Sequence, residues 1–176
     1  LVSVDEAVER AATLGGRVCL LDMGDNVGGG SPGDGTVLAH ALHARRLGPS
    51  FACLADPAAQ DTARAAGVGA TLTLTAGGKT DERHGPPLTA TVTVRGLTAG
   101  VFTEPAPRHG GFTHFDQGPT AAVESDTGLT LMLTTRRMAP FSLNQLVGNG
   151  IDPARFRVLV AKGVHAPVAA YAAVCE

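Results

Sequence analysis

A chain of 176 residues, 44% of them hydrophobic, is long enough to bury one core, and its length favours a single domain spanning 1–176. Its 14 basic and 16 acidic residues leave a net charge of −2, so there is no cationic excess to hold a nucleic acid, and no apolar run nears the roughly 18 residues that a membrane-spanning helix needs. The start, LVSVDEAVERA, lacks the basic and apolar regions of a signal peptide, and Cys19, Cys53 and Cys175 show no CxxC spacing, which together predict a cytoplasmic protein with free thiols.

The first element is a helix over Val4–Leu14. Val4, Ala7, Val8, Ala11 and Ala12 share a face, Ser3 and Glu6 have capping-box spacing, and Gly15-Gly16 stops it. Because the chain opens at Leu1, directly in this pattern, it reads as a piece of a longer polypeptide. Arg17–Met23 is a short buried strand that delivers Asp22 at its end. A glycine-rich loop follows, MGDNVGGGSPGDGT, and leads into a helix over Thr36–Leu47 whose Arg45 and Arg46 suit the carboxyl end of the helix dipole.

Ser50–Ala55 reads as a second strand, with Asp56-Pro57 as cap and first residue of a helix through Ala66. Ala70–Thr75 is a strand that runs into a second loop, AGGKTDERHGPP. Leu88–Arg95 has period-two alternation, and Thr98–Thr103, Thr120–Ser125 and Leu129–Thr134 continue as strands, with turns at 126–128 and around Gly110-Gly111. Pro140–Val147 reads as a short helix, Gly148–Pro153 as a turn, Phe156–Ala161 as a last strand and Pro167–Val174 as a last helix. The expected class is α/β: a mixed sheet with parallel βα units at the amino end, an antiparallel middle section, and helices packed on the sheet.

The glycine loop before a helix has the parts of an anion cradle, but its spacing is neither GxGxxG nor GxxxxGK[ST], and Asp22, Asp25 and Asp34 would repel phosphate unless a metal intervened. A Mg²⁺ or Ca²⁺ site on these carboxylates competes with a plain strand-to-helix turn. Lys79 and His84 in the second loop, Arg136 and Arg137 after a strand, and Lys162 and His165 before the last helix form one basic site if these strand ends gather at one edge; singly, each reads as a loop brace. His40 and His43, and likewise His109 and His114, lack the carboxylate partner of an HExxH-type site. There is no Gly-x-Ser-x-Gly elbow and no cysteine in an electropositive setting.

Taken in order, DMGDNVGGGSPGDGT, DPAAQDTARAAGVGA, AGGKTDERHGPPL, TTRRMAPF and GIDPARFRVLVAKGVHA resemble the C-terminal domain of the microcystinase C family of metallopeptidases over essentially the whole chain. Val27 stands where that family usually has proline. The resemblance implies a bacterial two-domain hydrolase whose preceding N-terminal domain binds the catalytic zinc. It therefore assigns no catalytic residue, metal ligand or cofactor to this chain. Its implied role is to complete the fold and line the cleft for a small peptide-like substrate, with Asp22, Asp25, Asn26, Gly28, Gly29, Gly30, Asp34, Lys79, His84, Lys162 and His165 as candidates for contact. The expected partner is the N-terminal domain of the same polypeptide. A self-sufficient small-anion-binding module and a purely structural or homodimerising domain are the alternatives.

Overall fold

The computed structural model describes residues 1–106 and 111–175, so His109 and Gly110 lie outside the described residues. Its elements are α1 (Val4–Thr13), β1 (Val18–Leu21), α2 (Val37–Ala44), β2 (Ser50–Ala55), α3 (Pro57–Ala66), β3 (Thr71–Ala76), β4 (Leu88–Thr98), β5 (Val101–Thr103), β6 (His114–Asp116), β7 (Thr120–Ser125), β8 (Leu129–Thr134), α4 (Asn144–Val147), β9 (Val158–Ala161) and α5 (Ala166–Tyr171), with 3₁₀ turns at Val27–Gly29 and Pro153–Arg155.

Seven strands form one sheet in the order β1-β9-β2-β8-β7-β4-β3, and β5 with β6 form a separate ribbon. The β1–β9, β9–β2 and β2–β8 pairs are parallel, whereas β8–β7, β7–β4 and β4–β3 are antiparallel. The sheet is thus mixed, parallel on the β1 side and antiparallel beyond β8, as the alternation of predicted elements implied.

Period-two alternation divides the sheet's side chains between two cores. Ala52, Leu54, Leu131, Leu133 and Val160 point to the face covered by α1, α2 and α3, where Val8, Ala11, Leu38, Leu42, Ala59 and Ala63 meet them. Phe51, Met132, Leu159 and Ala161 point to the other face, packed by Leu146, Ile151, Phe156, Ala170 and Tyr171. A fully buried Leu or Phe contributes about 1.5–3 kcal/mol through burial, so the packing of both faces contributes to holding the sheet.

Local caps explain where helices begin and end. Ser3 accepts from the Glu6 N–H at the start of α1, and Asp56 accepts from the Ala59 N–H at the start of α3. The Arg157 guanidinium, just before β9, donates to the Ala11, Ala12 and Leu14 carbonyls, satisfying the open end of α1 and fixing it to the sheet. α2 ends earlier than its pattern suggests, because Arg46 takes a left-handed φ of 50° and the Leu47 N–H returns to the Leu42 carbonyl.

Further boundaries differ from expectation, among them the end of α5, which stops at Tyr171 rather than Val174, and the start of β9, at Val158 rather than Phe156. Thr98–Thr103 is not one strand: the chain turns at Gly100, φ 76°, so β4 ends at Thr98 and β5 leaves the sheet to pair with β6. The helix expected over Pro140–Val147 shortens to α4 because the Ser142 hydroxyl accepts from the Asn144 N–H and starts it late. Among the described residues no helix is long and apolar enough to cross a membrane.

Candidate functional site

Parallel strands align their carboxyl ends, and open α/β sheets place ligands outside that edge. Here Asp22 directly follows β1, Lys162 follows β9 and Asp56 follows β2, and the three strands lie side by side. The glycine loop crosses the same edge, since the Ala55 N–H donates to the Gly33 carbonyl at 3.0 Å.

Lys162 organises the first half of this edge. Its Nζ donates to Asp25 Oδ2 (2.9 Å), Asp22 Oδ2 (3.2 Å) and the Gly35 carbonyl (2.6 Å), although the side chain is only 5% exposed. Asp25, 2% exposed, also accepts from the Gly33 and Gly35 N–H groups, both at 2.7 Å. Burial opposes ionisation of this carboxyl, yet the charge and hydrogen bond of Lys162 and the two backbone donors outweigh it, and its pKa falls below the ordinary value. Gly35 is required by this contact: a Cβ there would lie 2.7 Å from Asp25 Oδ2.

The second glycine loop is bonded to the first. Asp34 Oδ2 accepts from the Lys79 N–H, the Thr80 N–H and the Thr80 hydroxyl at 2.9–3.0 Å, and the Asp34 carbonyl accepts from the Gly78 N–H at 2.8 Å. Asp56 Oδ2 accepts from the Gly77 N–H (2.8 Å) and Lys79 Nζ (2.7 Å) while its Oδ1 caps α3. The Thr36 N–H donates to the His84 carbonyl, and the Thr36 hydroxyl to the Pro86 carbonyl. The His84 ring spans Asp81, at 2.8 and 2.9 Å from Nδ1, and the Gly24 carbonyl, 3.2 Å from Nε2. The hydrogen bond and charge of Asp81 raise its pKa against a smaller opposing effect of burial.

Beside this joint lies a cleft of about 840 Å³ between α1, β1, the first loop and α2, lined by Asp22, Gly24, Asp25, Arg83 and His84 on its polar side and by Val2, Val4, Leu20, Met23 and Val37 on its apolar side. Among the sequence candidates, Asp22, Asp25 and His84 reach it. Asp34, Lys79 and Lys162 do not line it and instead bond the two loops and the strand ends together, Asp34 and Lys162 buried and Lys79 partly exposed. Gly28, Gly29 and Gly30 form an exposed tip braced by Arg137, which donates to the Gly30 and Ser31 carbonyls; Asn26 accepts backbone bonds at the base of that tip. His165 is exposed at the start of α5 and does not line the cleft.

Comparison with known proteins bears on what this edge belongs to. Residues 20–176 match the family model described as MlrC C-terminus. The chain belongs to the MlrC C-terminus family. It is 32% identical over 165 residues to microcystinase C from a Sphingomonas species, covering 91% of this chain and 30% of that protein. It also superimposes, with a TM-score of 0.87 and 30% identity, on a solved structure of a provisionally assigned metallopeptidase from Mesorhizobium sp. BNC1, over all of this chain and 35% of the other. The MlrC C-terminal chain therefore spans about a third of the length of these relatives.

A metallopeptidase relationship makes metal binding the next question for this MlrC C-terminal edge. Among the described residues, no group of three or more His, Cys, Asp and Glu side chains is placed to hold a metal ion. The acidic pair Asp22 and Asp25 is bridged by the Lys162 ammonium, so among the described residues these carboxylates do not form a zinc site. His40 and His43 turn to different partners, the Pro86 carbonyl and the Thr127 hydroxyl, and His114 contacts Thr113.

Sequence reasoning missed Asp81, Gly24 and Arg83, and saw Asp56 only as a cap. The Asp81–His84 spacing, three residues apart in a turn, was the available signal for the dyad. Nothing in the sequence paired Asp56 with Lys79, because that bond needs the fold.

Proposed function

We propose that this chain is the C-terminal part of a zinc-dependent peptidase-like hydrolase, in which it completes the fold and forms one wall of the substrate cleft while a domain outside this chain holds the metal. The observation that carries the proposal is the junction of the two glycine loops: buried carboxylates fasten them into one rigid edge, and that edge borders a cleft in a chain similar to a metallopeptidase over its whole length. Zinc in such an enzyme would lower the pKa of a bound water and polarise an amide carbonyl. The residues of this chain would orient a peptide-like substrate, with Arg83 offering a cation and Val2, Met23 and Val37 an apolar surface.

A small-anion cradle has less support. The Gly33 and Gly35 amides that would meet an anion already donate to Asp25, and the Lys79 and Thr80 amides donate to Asp34. Equilibrium dialysis against zinc separates the readings: the chain alone is expected to retain no stoichiometric metal, whereas a polypeptide that includes the preceding domain retains it. Stoichiometric zinc on the chain alone would overturn the proposal.

A further inference from the structure

His84 stands at the mouth of the cleft with both ring nitrogens facing oxygen. Nδ1 lies 2.8 and 2.9 Å from the two oxygens of Asp81, and Nε2 lies 3.2 Å from the Gly24 carbonyl. An ionised carboxylate and a backbone carbonyl accept only, whereas a neutral imidazole carries a single N–H. One of the two contacts is therefore a hydrogen bond in the neutral ring, and both are hydrogen bonds only in the imidazolium. We propose that His84 is a protonation-controlled latch, a positioning residue whose imidazolium ties the second glycine loop to the Gly24 wall of the cleft and whose neutral form releases Gly24.

The surroundings decide which side moves. The backbone of the second loop is pinned independently of the His84 ring: the Thr36 N–H holds the His84 carbonyl, Thr36 Oγ1 holds the Pro86 carbonyl, and a Cβ on Gly85 would come within 2.7 Å of Thr36 Oγ1. Asp25 is fastened by Lys162, Gly33 and Gly35. Met23 and Gly24, both exposed, are the segment left between these anchors, so loss of the Nε2 bond acts there.

The charged groups around the ring agree with a latch that holds at low pH. Asp81, two bonded oxygens away, and Asp25, from the loop after β1, both favour the cation. Asp22 and Arg83 face the same cleft with opposite signs, and from α2 the His40 ring approaches through the Pro86 carbonyl. The folded-state pKa of His84 is raised above the ordinary 6.5, so the latch is closed below that value and opens as pH rises through the raised one.

The test is an NMR titration of the ¹⁵N-labelled full chain, which reads the ring and the wall without reference to hydrolytic activity, so its failure leaves the proposed hydrolase role standing. The expected result is that both His84 ring nitrogens are protonated in the acid form, that His84 titrates above the ordinary histidine value, and that the Met23 and Gly24 amide signals shift with the same midpoint. Asp81→Asn is expected to lower that midpoint for ring and wall together, and His84→Ala to abolish the wall's titration. A His84 midpoint at or below the ordinary value, or Met23 and Gly24 signals that do not follow it, would overturn the latch. Should His84→Ala not fold, the shared shift in Asp81→Asn decides alone.

Discussion

Lys162 and Asp25 form an ion pair of 2.9 Å, buried on both sides, that fastens the end of β9 to the loop after β1. The pair is expensive to break from one side, because the survivor is left as an unpaired buried charge. Lys162→Met is expected to cost about 3–5 kcal/mol in urea unfolding, and Asp25→Asn added to it to recover part of that loss. Equal stability of Lys162→Met and the unsubstituted chain would remove the pair from the framework.

The same carboxyl sets the response to acid. The folded-state pKa of Asp25 lies below its ordinary value, so its contribution is present above the unfolded-state pKa and is lost as pH falls through the folded one. Unfolding free energy measured against pH is expected to drop on the acid side of about pH 4, and Asp25→Asn to flatten that part of the curve.

The close fit of the second loop makes a different prediction. Gly78 has φ 59°, and a Cβ there would lie 2.5 Å from the Gly85 carbonyl oxygen and 2.6 Å from the carbonyl carbon of Pro86. Left-handed backbone alone costs a residue with a side chain about 1–2 kcal/mol, and the backbone contact adds to it. Gly78→Ala is expected to lower stability by more than about 2 kcal/mol. Gly15→Ala, with nothing within 4 Å, is the control and changes stability by less than about 0.5 kcal/mol.

Thiol chemistry reports on the opposite layer. Burial pushes the Cys53 thiol up to about 12, whereas a hydrogen bond from Cys19 lowers that of Cys175. With an aromatic disulfide reagent at neutral pH, Cys175 is expected to react first and the half-buried Cys53, whose thiolate is less populated, more slowly. Labelling of Cys53 as fast as that of Cys175 would contradict this order.

The elements were legible in the sequence wherever a local signal existed. β2, α3, β7 and β8 match their expected bounds residue for residue, because Asp56-Pro57 and the 126–128 turn act over a few positions. β6 was not visible, since three residues of HFD carry too little pattern and depend on pairing with β5. At the candidate site, residue types were readable but their roles were not. Asp25, Asp34 and Lys162 look alike, in sequence, whether they face a ligand or hold the wall, and only the long-range bonds to Gly33, Thr80 and Asp22 separate these uses.

In the proposed enzyme this edge forms a wall of the substrate cleft without holding the metal. Arg83 tests it most directly, because it lines the cleft outside the buried framework. In a polypeptide that includes the proposed preceding metal domain, Arg83→Ala is expected to lower kcat/KM for a peptide substrate about tenfold while its bound metal is unchanged. An unchanged kcat/KM would contradict the account, and so would loss of the metal.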